Sequence, residues 1–158
     1  MDTAPGINSC SPVPVTVEEM ASGFGIANRA RWAGPSDELV IACDGVLEDI
    51  TAQMAADGAR NGDPFCKELL RSAWSCLAEA ICQVIALLCP RRIVIGGGVS
   101  LMGEELLFEP LRKAVADSVF RPFADCYDIV PAALGEEVVV HGAIALARRK
   151  LGPREGGG

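Results

Sequence analysis

Histidine and aromatic residues are scarce in this 158-residue chain: one His, one Tyr, two Trp and five Phe. A single histidine, His141, excludes a multi-histidine metal site, and no nucleophile stands beside it in a catalytic motif. Basic residues are outnumbered, with 14 Lys and Arg against 21 Asp and Glu and a net charge of −7. That balance argues against a nucleic-acid surface, whose affinity rests on clustered cations. Apolar runs are short as well. The longest, Ile81 to Pro90, carries Gln83 and falls below the roughly 18 residues of a membrane span, so no membrane partner is expected. The N-terminus has no basic region followed by an apolar stretch and does not read as a secretory signal.

Paired cysteine spacing is missing too. The seven cysteines stand at 10, 43, 66, 76, 82, 89 and 126, an odd number with no C-x-C or C-x-x-C pair. A disulfide framework or zinc site normally needs such spacing or an even set. Four of them fall between Phe65 and Pro90 in an apolar helical pattern and read as small buried hydrophobes. Reduced thiols in a cytoplasmic protein are the expectation.

What is present is enough apolar sequence for a core: 50% of residues are apolar and 22% charged. The length suits one domain or one lobe of a larger enzyme. Residues 1–15, rich in Pro, Ser and Gly, read as an irregular lead-in, and 152–158 as a tail. Thr16 and Glu19 form a possible capping box for a helix reaching about Trp32. Gly23 and Gly25 weaken that helix by roughly 1 kcal/mol each, which suggests close packing or a ligand near the backbone. Ser36 to Cys43 is an apolar run that periodicity leaves open between strand and short helix. A helix from about Ile50 to Arg60 closes at Asn61-Gly62. Asp63 then caps the next helix, with Pro64 at its first position.

That next helix, about 25 residues long, has the strongest pattern. Phe65, Leu69, Ala73, Leu77, Ile81, Val84 and Leu88 recur at three and four residues, Leu70, Trp74 and Ile85 widen the stripe, and Pro90 stops it. Arg92 to Ile95 is a short β-branched strand running into Gly96-Gly97-Gly98. A helix from Glu104 to Val119, a strand from Tyr127 to Ala133 and a helix from Glu136 to Lys150 follow. This order implies parallel strands with right-handed crossovers. Two strands are too few for an independent sheet, so the fold class is a helix-rich α/β lobe with an incomplete sheet.

A strand ending in consecutive glycines lets a ligand approach the backbone where a Cβ would stand, at the carboxyl edge where open α/β sheets bind ligands. A helix start just beyond would add a positive dipole for phosphate. The pattern is neither G-x-G-x-x-G nor a P-loop, and a tight turn needing positive φ explains it equally well.

Several features in register resemble the C-terminal half of the ROK family, the bacterial sugar kinases and sugar-responsive repressors of the actin–hexokinase–Hsp70 ATPase superfamily. They are Glu18-x-x-x-Ser22-Gly23, Asn61-Gly62-Asp63-Pro64, the long helix ending at Pro90, Ile93-Val-Ile-Gly-Gly-Gly-Val-Ser100, and His141-Gly142-Ala143-Ile144-Ala145-Leu146-Ala147. The resemblance runs from Val17 to Leu151. It implies the C-terminal lobe of an actin-like, ribonuclease H-like ATPase fold over 16–151, in a glucokinase-like, ATP- and Mg²⁺-dependent hexose kinase.

Gly96, Gly97 and Gly98 resemble the superfamily's adenosine element, and Glu18 aligns with the family carboxylate that bonds sugar hydroxyls. A first-turn Glu serving the helix dipole is the plainer reading of Glu18. Gly142-Ala143 resembles a segment where helices of two lobes cross closely, and His141 beside it reads as an ordinary helix residue.

Departures from the family pattern qualify this. The N-terminal lobe with its Asp-x-Gly-Gly-Thr phosphate loop and the Asn-Asp pair holding the general base are not found. Asp44-Gly45 lacks the second Gly and the Thr. The family's zinc element is replaced by Asn8-Ser-Cys10-Ser-Pro-Val-Pro-Val, whose one cysteine cannot hold zinc tetrahedrally. No catalytic residue and no metal ligand is therefore assigned, and the chain alone is expected not to turn over. A homo-oligomer or a separate N-terminal lobe is expected as partner, with sugar and ATP as ligands of the complete enzyme. The alternative is a non-catalytic sugar-sensing, binding or oligomerisation module derived from such a lobe.

Overall fold

Thr16 begins the described part of the computed structural model, residues 16–151; the expected lead-in with Cys10 and the expected tail lie outside the described residues. The capping box forms: the Thr16 hydroxyl accepts the Glu19 N–H at 3.1 Å, and the Glu19 carboxylate accepts the Thr16 N–H at 2.8 Å. The helix it opens, α1, runs only over Val17–Ala21. Ser22 is extended and caps a second helix, α2 (Gly23–Trp32), its hydroxyl accepting the Gly25 N–H at 3.0 Å. The single helix expected to Trp32 is thus two. The break follows from Ser22, whose hydroxyl replaces a backbone partner, and from Gly25, which lies against the carbonyl end of α1. A Cβ there would stand 2.3 Å from the Glu19 carbonyl oxygen.

The open segment at Ser36 resolves as helix α3 (Asp37–Ala42), with the Ser36 hydroxyl accepting the Leu39 N–H. Helix α4 (Ala52–Asn61) is capped by Thr51 and stopped by Gly62 at φ +104. Helix α5 (Pro64–Leu88) has the expected 25 residues and the expected Asp63 cap. It is long and apolar enough to cross a membrane by length and composition, contrary to the estimate from uninterrupted runs. Its packing against α1, α2, α4 and the later helix α6 (Glu109–Ser118) is that of a core helix.

The buried face of α5 differs at its end from the expected stripe. Cys66, Leu69, Leu70, Ala73, Trp74, Ala78, Ile81 and Ile85 are buried, whereas Val84, Leu87 and Leu88 are exposed. The cysteines follow the same trend: Cys66 is buried, Cys76 and Cys82 are half-buried and Cys89 is exposed. Only the first is the small core hydrophobe expected of all four, because the last turn of the helix is not enclosed by the core.

Strands β1 (Arg92–Ile95) and β2 (Asp128–Pro131) pair in parallel, Arg92 opposite Asp128 and Ile95 opposite Pro131. The second strand is shorter than expected. Between them a 3₁₀ turn (Gly98–Met102) leads into the expected Glu104–Val119 helix, which opens with a π-helical turn (Glu104–Phe108) and continues as α6. Pro110 has no N–H to offer the Leu106 carbonyl four residues back, and the Trp74 indole N–H fills that place at 2.7 Å. Helix α7 (Val138–Leu151) closes the chain with Val139, Val140, Ile144 and Leu146 exposed. The core lies between α2, α5 and α6, around Ile26, Leu69, Ile85, Phe108, Leu111 and Val115.

Candidate functional site

The three glycines after β1 serve three different ends. At Gly96 a Cβ would stand 3.2 Å from the Ala132 Cβ, so the ends of β1 and β2 approach closely there. Gly97 sits at φ +79 with its surroundings open, and its carbonyl accepts both the Ser100 N–H (3.0 Å) and the Ser100 hydroxyl (2.7 Å). Gly97 therefore answers to backbone conformation, as the turn reading of the run requires. Gly98 is outside the left-handed region and starts the 3₁₀ turn.

Gly98 instead lines an open hollow of about 410 Å³. The glycine loop contributes Val99, Leu101 and Met102. Gly23, Ala27 and Arg31 come from α2, and Thr51, Ala52 and Gln53 from the start of α4. A Cβ on Gly23 would make only ordinary contacts, 3.8 Å from the Ala52 Cβ and 3.9 Å from Val99. Gly23 thus borders the hollow rather than a tight helix crossing, in contrast to Gly25. The Arg31 guanidinium is tied down by the Asn28 side chain at 3.0 Å and the Ile50 carbonyl at 2.9 Å.

Among the described residues no carboxylate lines the hollow. Its wall is small and, Arg31 apart, uncharged, and no described residue of it could hold a magnesium–phosphate group. The expected helix start stands at Glu104, separated from the glycines by the 3₁₀ turn and by Gly103 (φ +82), and its π-helical first turn runs directly into α6. The positive end of that helix is therefore offset from Gly98 by the intervening 3₁₀ turn.

Glu18 lies in the first turn of α1, exposed, with no side-chain hydrogen bond or ion pair among the described residues. The capping role belongs to Glu19, whose carboxyl is held below its ordinary range by the Thr16 N–H and hydroxyl. Glu18 is joined to the hollow through the chain: its carbonyl accepts the Ser22 N–H at 3.1 Å, and Ser22 caps the helix that begins at Gly23.

On α7, His141 is half-exposed with Nε2 3.6 Å from the Glu137 carboxylate, an ordinary helix-surface position. A Cβ on Gly142 would meet nothing within 4 Å, so the small-residue face of Gly142-Ala143 is uncovered. Among the described residues no three or more His, Cys, Asp or Glu come together to hold a metal, and Cys10 lies outside them. Sequence reasoning missed Arg31, Thr51 and Gln53 as neighbours of Gly98. Thr51 falls inside the helix expected from about Ile50, and both its role as the cap of α4 and its nearness to the glycine loop are seen only in the structure.

Residues 6–150 match the ROK family. The chain is 33% identical over 138 residues to a glucokinase of Thermotoga maritima, covering 86% of this chain and 43% of that protein. It superposes on a ROK family glucokinase from Streptomyces griseus, solved in complex with glucose and AMPPNP. The TM-score is 0.73 at 28% identity, over 84% of this chain and 44% of the other. A ROK family transcriptional regulator, a homologue of the E. coli MLC protein, shares the fold at a TM-score of 0.57 and 22% identity, over 83% of this chain and 32% of the other. The chain spans less than half the length of these relatives. With its helix-rich α/β build and the actin-like ATPase fold of the glucokinase it superposes on, the chain belongs to the ROK family.

Proposed function

We propose that residues 16–151 are the C-terminal, nucleotide-binding lobe of a cytoplasmic, ATP-dependent, glucokinase-like hexose kinase. The observation that carries this is the hollow in which Gly98 meets Gly23 and the start of α4, with Glu18 one helical turn before Ser22. Gly97 sets the turn, Gly98 leaves room for a base or ribose, and Glu18 offers an unengaged carboxylate to sugar hydroxyls. The relatives named as glucokinases, one with glucose and AMPPNP bound, support the choice of ligands.

Phosphoryl transfer needs a base and a cation clamp on the phosphates. No residue of the hollow supplies either, so both are assigned to an N-terminal lobe. A purified chain should consume no ATP with glucose, N-acetylmannosamine or fructose. Steady turnover by the chain alone would defeat the assignment.

Nucleotide binding is testable directly. ADP, titrated to millimolar because half the pocket is elsewhere, should move amide resonances of residues 95–101. Gly98→Val should weaken that response at least ten-fold with little change in melting temperature. Gly97→Val should instead destabilise the fold by roughly 1–2 kcal/mol, the cost of a left-handed conformation. If saturating ADP moves nothing near the glycines, the nucleotide assignment fails.

A further inference from the structure

Helix α5 ends in an exposed cysteine. Cys89 is its C-terminal cap, in the left-handed region at φ +46, and hands the chain through Pro90 and Arg91 to β1. A second exposed cysteine, Cys126, closes the turn before β2, its N–H donating to the Phe123 carbonyl at 3.0 Å. Parallel pairing brings these two approaches side by side. Arg92 lies opposite Asp128, and the Asp128 N–H donates to the Arg91 carbonyl at 3.1 Å. Cys89 and Cys126 stand three and two residues before those paired positions. Both line the same surface hollow, together with Asp125 and Tyr127.

We propose that Cys89 and Cys126 form a redox-sensitive dithiol that closes to an intramolecular disulfide when the protein meets a peroxide. One thiol is oxidised to a sulfenic acid as hydrogen peroxide is reduced to one water. The second thiol displaces the sulfenic oxygen as another water, and the S–S bond forms. The two thiol protons leave in the waters, and the two sulfurs together lose the two electrons the peroxide gains. The bond would tie the end of α5 to the entrance of β2, enclosing β1, the glycine loop and α6.

The other described cysteines are less suited. Burial and the Asp63 carboxylate push the Cys66 thiol up to about 12, so it stays protonated. Burial and the Glu79 charge also raise Cys76 and Cys82. Cys82 is half-buried with its thiol donating to the Val115 carbonyl of α6 at 3.8 Å, whereas the exposed Cys126 thiol donates at the same distance only to the Pro122 carbonyl of its own turn. This inference stands apart from the nucleotide reading, since neither cysteine lines the hollow at Gly98.

The test treats the full chain with stoichiometric hydrogen peroxide, blocks remaining thiols with iodoacetamide, and maps tryptic peptides without reduction. The expected result is a linked pair of peptides 72–91 and 114–148, in the monomer band, about 2 Da lighter than the sum of the two peptides with carbamidomethyl groups on Cys76 and Cys82 only. Cys89→Ser and Cys126→Ser should each abolish it, and Cys76→Ser and Cys82→Ser should leave it. Separate sulfinic or sulfonic acids without a link, a link between two chains, or a bridge that survives Cys89→Ser would each overturn the proposal. Far-UV circular dichroism of the variants guards against reading an unfolded chain, and both substitutions are at exposed positions.

Discussion

Asp63 ties three helices of this structure together. It is the one buried charged residue among the described residues, 3% exposed, and its partners lie on three elements. Its carboxylate accepts the Ser36 hydroxyl at 2.5 Å from the cap of α3 and the Phe65 N–H at 2.9 Å in the first turn of α5, while its own N–H donates to the Gly58 carbonyl of α4 at 2.9 Å. Burial by itself raises its pKa. Hydrogen bonds from the Cys66 thiol, the Ser36 hydroxyl and the Phe65 and Cys66 N–H groups together outweigh that and hold it below the ordinary aspartate value. A carboxyl depressed by folding stabilises above its unfolded pKa of about 4 and loses that contribution as pH falls through the folded value. Asp63→Asn should therefore cost roughly 1–2 kcal/mol in urea unfolding at pH 7, from the weakened cap and hydroxyl bond. The gap to the parent protein should narrow below about pH 4. A gap independent of pH would show that the charge is not what matters. The Asn61-Gly62-Asp63-Pro64 motif is thus a joint between α3, α4 and α5, and its sequence signal was that of a helix cap alone.

The junction of α1 and α2 decides where the candidate site stands. Ser22 ends one helix and caps the other, and only Gly25 permits α2 to start against the carbonyl end of α1. Gly25→Ala would push a methyl into backbone atoms at 2.3 and 2.5 Å, neither of which can swing aside. The substitution should destabilise by about 1–3 kcal/mol in thermal unfolding and shift the Gly23 resonance. Gly23→Ala, with neighbours at 3.8 Å or beyond, should be close to neutral in stability. Equal effects of the two would mean that the junction is not held as described. The glycines at 23 and 25 were legible as a weakness in a helix. Which one answers to packing and which borders the hollow depends on what crosses them, and that follows from tertiary contacts between α1, α2, α4 and the glycine loop.

At the scale of the whole molecule, apolar surface is left over. Val94 on β1 is 58% exposed, Val139 on α7 76%, and Val140, Ile144 and Leu146 extend the apolar face of α7. A two-stranded sheet and a helix with such a face are not self-sufficient. We propose that a second copy of the chain or a separate N-terminal lobe covers them. Sedimentation of the purified chain at micromolar concentration should show association. A strict monomer that also fails to bind a co-expressed N-terminal lobe would leave that proposal without support.

Much of this protein was decided within short stretches of sequence. The caps at Thr16 and Asp63, the 25-residue span of α5, the strand at Arg92–Ile95 and the parallel pairing implied by a strand–helix–strand order all follow from local hydrogen-bond demand and hydrophobic period. The family resemblance was legible for the same reason, since its motifs are caps, turns and glycines with fixed local duties. Tertiary structure decided the rest. The break at Ser22 depends on Gly25 meeting the carbonyls of α1, and the π-helical turn depends on Trp74 reaching the Leu106 carbonyl that Pro110 cannot serve. The hollow beside Gly98 exists because α2, α4 and the glycine loop converge from positions up to 79 residues apart, Gly23 to Met102. Local sequence specifies what each backbone group needs, and only the packed chain determines which distant group supplies it.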